Sequence, residues 1–204
     1  MAFSSAVPII HIAASPLFLL LFFSKRWFGI SGIFSSVALW VLLAIITIAV
    51  FIGWRSDRKI EPGKNINQLL YPFALSLSML MIFLCISIED YMPLWIFVIV
   101  MYREFGIGFI RLLLSNQRVT LRRRLSGHIT TSLYLCGAVA GLLSFTAGRY
   151  ASTNVDSGVC EAVFLGVFIA VAAAAVWSLS DTIMILLQTL RKSGADSEKN
   201  PIDL

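Results

Sequence analysis

Arg103, Glu104 and Arg111 stand inside an apolar stretch that runs from Met92 to Leu114. A charge at membrane depth costs about 2.5–3.5 kcal/mol at a helix centre on insertion scales. It persists where it faces a partner, a cavity or a ligand. Two of the three are arginines, whose planar guanidinium suits phosphate. On a helix, Glu104 and Arg111 face the same way, with Gly108 between them and Gly106 nearby. Arg103 points about a quarter turn from Glu104. Two readings stay open. In one, Glu104 pairs with Arg103 or Arg111 to fix helix packing, and Asp181 in the last apolar segment serves the other arginine. In the other, the arginines line a pocket for an anion or a phosphorylated head group.

Other groups carry less. The stretch Arg118-Val-Thr-Leu-Arg-Arg-Arg124 is a basic loop. It can set topology and touch anionic lipid, at about 1 kcal/mol per basic side chain near the surface. His128 is a lone histidine where an apolar segment opens, which reads as a polar cap. His11 has no acidic neighbour and reads as structural. Cys85, Cys136 and Cys160 suit neither a disulfide framework nor a metal site. No Gly-rich phosphate loop, Ser/His/Asp order or paired-histidine metal motif can be assembled. Asp57 and Glu61 are the only membrane-facing acids in the basic loops, a poor basis for a divalent metal.

The elements that must position these groups are membrane helices. The chain has 204 residues, 58% hydrophobic and 13% charged, with mean hydropathy +0.87. A soluble domain is nearer half apolar and a quarter charged. Six segments approach or exceed the roughly 20 apolar residues that span a bilayer. They lie near 6–23, 28–53, 68–88, 92–114, 128–148 and 160–188, and 1–192 reads as one six-helix domain. The first has no charged leader and no small-residue cleavage site, so it reads as a retained helix. The residues Arg55, Arg58, Lys59, Lys64, Arg118, Arg122, Arg123, Arg124, Arg191, Lys192 and Lys199 all fall on one side of such a chain. The positive-inside rule makes that side cytoplasmic, with both termini there, and the cell (inner) membrane the location. With loops explaining the net charge of +5, nucleic acid is not an expected partner. The tail 193–204 is short and polar, and its composition predicts disorder.

Tyr102-Arg-Glu-Phe-Gly-Ile-Gly-Phe-Ile-Arg-Leu-Leu113 resembles the CDP-alcohol phosphatidyltransferase family, and most of all its phosphatidylglycerophosphate synthases. In those, Arg-Glu-Phe or Arg-Glu-Ile precedes an arginine eight positions after the first. A short loop then leads to a Gly-Lys-x-Lys-Thr-like element, which here reads Ser126-Gly-His-Ile-Thr-Thr131, with His128 at a lysine position. The resemblance covers about 6–185 and is strongest over 98–135. It implies a six-helix all-α membrane bundle, with membrane lipids as partners and CDP-diacylglycerol or a phosphorylated alcohol as ligand. It also implies a homodimer, or a heterodimer with a relative.

The family's defining motif is D-x2-D-G-x2-A-R-x8-G-x3-D-x3-D. Its aspartates bind Mg²⁺ or Mn²⁺, and one is thought to act as base toward the alcohol. Registered on Tyr71-Pro-Phe-Ala-Leu75, the four aspartate positions hold Val50, Gly53, Tyr71 and Leu75. Trp54 and Asn67 stand at the glycines and Asp57 at the alanine. Arg58 alone survives. By the resemblance, Arg58, Arg103, Arg111 and His128 would contact phosphate, with Glu104 and Asp181 as buried polar support. The ligands of the metal are absent, so no cofactor is expected. These residues predict a degenerate phosphatidylglycerophosphate synthase-like protein without transferase activity. It would bind a phosphorylated head group or anionic lipid, or pair with an active relative. An active transferase with an atypical site is the alternative. A small transporter or scaffold using Arg103, Glu104, Arg111 and Asp181 as a buried polar path is a further one.

Overall fold

The computed structural model describes residues 2–28, 32–57, 67–116, 125–150 and 157–199. These residues form seven helices and no strand. They are α1 (Ala2–Phe22), α2 (Ser24–Phe28), α3 (Gly32–Asp57), α4 (Asn67–Ile88), α5 (Leu94–Asn116), α6 (Leu125–Tyr150) and α7 (Ser157–Lys199). Hydrocarbon supplies no hydrogen-bond partners, so apolar runs of this length close their backbone bonds within a helix. All six apolar segments of the sequence become helices, and the five-residue α2 is added after the first.

The protein is an all-α membrane bundle. Among the described residues, four stretches are long and apolar enough to cross a membrane: Ile33–Gly53, Leu70–Ile88, Ser126–Gly148 and Ala162–Gln188. The apolar part of α1, Val7–Phe22, is shorter. Helix α5 carries Arg103, Glu104 and Arg111 along its length. Helix α7 has 43 residues, about 65 Å at 1.5 Å per residue, against a hydrocarbon thickness of roughly 30 Å. It stays helical through Lys199. Gly194 does not break it, and the next proline is Pro201.

Helix α4 is central. It packs on α1, α5 and α6, while α5 and α6 both pack on α7, and α3 lies against α1. Ile82, Phe83 and Ile86 of α4 are fully buried with Phe18, Ile96, Tyr134 and Phe168 from four other helices. Ile33, Phe34, Phe51, Phe105, Phe109 and Leu187 point outward, as side chains facing lipid do. Gly141 lets α4 approach α6, because a Cβ there would strike the Ile86 side chain.

The α1–α4 seam has a polar core. Ser78 Oγ donates to the His11 carbonyl at 2.9 Å and lies 3.2 Å from His11 Nδ1. Ser15 Oγ donates to the same carbonyl at 2.8 Å. His11 Nδ1 and Ser78 Oγ thus face each other within hydrogen-bond reach. His11 is therefore a packing residue, as the sequence suggested.

Helix α4 ends in a Schellman turn. The Tyr91 N–H donates to the Ile86 carbonyl and the Asp90 N–H to the Ser87 carbonyl, both at 3.2 Å. This puts Asp90 in the left-handed region, at φ 61°, where aspartate is one of the tolerated residues. The turn fixes where Glu89 and Tyr91 point. Pro93 follows, so α5 starts at Leu94 rather than Met92.

Candidate functional site

The residues singled out by sequence fall into three groups, each placed in a different way.

The first is built on α5. Its buried face runs Ile96, Val100, Arg103, Ile107 and Ile110, the spacing of one helical stripe. Arg103 thus occupies a core position and is only 8% exposed. Such a charge must be matched. Its Nη1 pairs with Glu104 Oε1, and Glu104 Oε2 accepts the hydroxyl of Ser76 on α4. Nη2 donates to Ser178 Oγ on α7 at 3.0 Å. The guanidinium carbon lies 5.6 Å from the centre of the Tyr134 ring on α6, a cation–π contact. One ion pair therefore ties α5 to three neighbouring helices. Arg103 Nε and the Tyr134 hydroxyl are buried beside it without hydrogen-bond geometry to any described group.

This arrangement chooses between partners that the sequence left open. Glu104 turns to Arg103, its chain neighbour. Gly108 faces open space, and it is Gly106 that receives a neighbour, Leu179 of α7. Ser76, Ser178 and Tyr134 were not foreseen. Serines inside apolar runs were the only hint, and which helices meet decides their role.

The second group lies where α5 ends and α6 begins. Ser126 Oγ donates to Asp181 Oδ2 at 2.8 Å, joining α6 to α7. Thr130 Oγ1 donates to the Ser126 carbonyl at 2.8 Å and lies 3.4 Å from the Ala174 carbonyl. Arg111 and His128 are half-buried near these helix ends. The Ser126–Thr131 element is thus the first turns of α6, whose leading N–H groups favour negative charge. Arg58, Glu61 and the basic loop 118–124 lie outside the described residues, and of Asp57 only the backbone is described.

The third group comprises the positions that the family motif assigns to aspartate. Tyr71 on α4 donates through its hydroxyl to the Val50 carbonyl on α3, at 3.4 Å. A Cβ on Gly53 would strike three atoms at the end of the Tyr71 ring. Leu75 follows Tyr71 by one turn, and Val50, Tyr71 and Leu75 are all buried. The His11 ring meets the Tyr71 ring edge to face at 6.1 Å. Val50, Gly53 and Tyr71 therefore do converge, as one site requires, but the Tyr71 ring fills the space over Gly53.

Residues of this kind do not fit a divalent metal. Hard cations need several oxygen ligands, mostly carboxylates. Val50, Gly53 and Leu75 offer no side-chain oxygen, and the one hydroxyl present is directed at a carbonyl. Among the described residues, no three His, Cys, Asp or Glu side chains gather where they could hold a metal ion.

A curated protein of Treponema pallidum, a CDP-diacylglycerol–glycerol-3-phosphate 3-phosphatidyltransferase, is 26% identical to this chain over 108 residues. The chain resembles a phospholipid-synthesising transferase. That match takes in 53% of this chain and 50% of the relative, so the chain spans about half the length of the protein it matches. No family model and no solved structure matches. The likeness to phosphatidylglycerophosphate synthases read from the sequence agrees with this relative and with the apolar helices. The chain is a multi-pass membrane protein similar to such an enzyme.

Proposed function

We propose that this phosphatidylglycerophosphate synthase-like protein performs no transfer and instead holds an anionic phosphate head group at the end of the bundle where α5 ends and α6 begins. The packing of Tyr71 over Gly53 carries the first half of this reading. In the resembling family a metal neutralises the pyrophosphate leaving group and helps to activate the alcohol. Here the corresponding positions carry no carboxylate and the space over Gly53 is filled, so nothing at them can do either.

The second half rests on residues that suit phosphate. Arg103 serves as support, since Glu104, Ser178 and Tyr134 already engage its guanidinium. The resemblance gives the head-group role to Arg111 and His128, with Arg58. Arginine forms paired, charge-assisted bonds to phosphate oxygens, worth about 1.5–3 kcal/mol. The first turns of α6 add favourable dipoles. With this end cytoplasmic, the ligand is an anionic lipid or phosphorylated alcohol of the inner leaflet.

The test is lipid retention by the purified chain in nanodiscs, read by native mass spectrometry. Phosphatidylglycerol should be retained over phosphatidylcholine. Arg111→Ala should weaken that preference about tenfold or more. Equal retention of both lipids, or an Arg111→Ala variant indistinguishable from the parent, contradicts the head-group role.

A further inference from the structure

The opposite end of the bundle holds a feature that the reading above does not use. A cavity of about 430 Å³ opens where α1, α4 and α6 end, within the roughly 300–1,000 Å³ range of small-molecule sites. Its floor is aromatic. Phe22, Phe23 and Phe145 are buried, and Phe22 stacks on Phe145 with ring centres 4.4 Å apart. Tyr91 meets Phe145 edge to face at 5.9 Å. A Cβ at Gly148 would lie 2.7 Å from the Tyr91 hydroxyl, so the glycine lets this ring form a wall.

Among the described residues, its rim carries one charge of each sign. Arg26 stands on α2, whose turn is held by the Arg26 and Trp27 N–H groups donating to the Phe23 carbonyl, each at 2.9 Å. Glu89 stands in the Schellman turn of α4. Both side chains are exposed, and among the described residues neither forms an ion pair or a side-chain hydrogen bond. Two opposite charges thus line one aromatic cavity without neutralising each other.

This combination selects its ligand by charge. A simple anion would meet Glu89, and a simple cation would meet Arg26. A molecule with both charges a few bonds apart satisfies the two together. We propose that this cavity binds a phosphate–ammonium zwitterion, the chemistry of a phosphoethanolamine or phosphocholine head group, with the ammonium at Glu89 and the phosphate at Arg26. The site lies where helices leave the hydrocarbon, within reach of a lipid of the leaflet opposite to the Arg111 end. A soluble zwitterion of the same class would fit it equally.

The full chain in nanodiscs is titrated with phosphatidylethanolamine by native mass spectrometry, and separately with soluble phosphoethanolamine by calorimetry. Glu89→Gln and Arg26→Gln are the variants. Both residues are exposed, and unchanged melting temperatures establish that both variants fold. Each should weaken zwitterion binding about tenfold or more, the effect of one charge-assisted bond. Arg111→Ala should leave it unchanged, which separates this site from the anionic one. Binding of the lipid alone identifies a head-group site. Binding of the soluble compound as well, with the same dependence on both residues, identifies a site for the free zwitterion. Absence of binding by either, binding indifferent to both variants, or dependence on Arg26 without Glu89 overturns the proposal.

Discussion

Gly53→Ala should destabilise the protein in the presence of Tyr71 and stabilise it in its absence. Alanine normally improves a helix interior over glycine by about 0.5–1 kcal/mol. At position 53 the new methyl strikes the end of the Tyr71 ring. That ring is buried, leans on His11 and gives its hydroxyl to the Val50 carbonyl, so it cannot swing aside without losing those contacts. Overpacking of this kind costs roughly 1–3 kcal/mol. The net loss is up to about 2.5 kcal/mol with Tyr71 in place. In a Tyr71→Ala background the obstruction is gone, and the same change should gain up to about 1 kcal/mol. The two backgrounds thus differ by roughly 1–3 kcal/mol, a coupling that a double-mutant cycle resolves. The assay is reversible unfolding in mixed micelles, followed by tryptophan fluorescence. A Gly53→Ala change that stabilises both backgrounds equally would show that Tyr71 does not fill the space over Gly53.

Glu104→Ala should lose about 2–4 kcal/mol in the same assay. It strands a buried guanidinium, and polar partners in the unfolded membrane state moderate the loss. A loss below about 0.5 kcal/mol would mean that the pair does not hold α5 in place. In a background lacking Cys85, Cys136 and Cys160, a membrane-impermeant thiol reagent applied to intact cells should label a cysteine at Asp90 and miss one at Ser193. The reverse pattern would put the α5–α6 end outside the cell. Arg111→Ala should reduce phosphatidylglycerol retention in a chain that still folds. A large stability loss instead would assign Arg111 to packing.

The sequence carried the helices well because their signal is local. Long apolar runs can bury their backbone only as helices, and the runs near 68–88 and 128–148 became α4 and α6 with little shift. Ends were less legible. Pro93 moved the start of α5, and α7 runs on through polar residues because nothing before Pro201 stops it. The importance of Arg103 and Glu104 was visible from the cost of charges in an apolar run. Their partners were not, because Ser76, Ser178 and Tyr134 sit on three other helices and only packing brings them together. The motif positions show the same division. Substitution of Val50, Gly53, Tyr71 and Leu75 for aspartate was readable by register alone. That Tyr71 reaches across to Val50 and fills the space over Gly53 follows from the α3–α4 contact, which no periodicity encodes.

The central claim is that the closed, carboxylate-free cluster at Val50, Gly53, Tyr71 and Leu75 supports no phosphatidyl transfer. Release of CMP by the purified full chain, given CDP-diacylglycerol, glycerol-3-phosphate and Mg²⁺ or Mn²⁺, tests it most directly. The expected result is no CMP above a control without protein. Metal-dependent CMP release that survives purification, whether or not Asp57→Ala or Glu61→Ala abolishes it, would contradict the account.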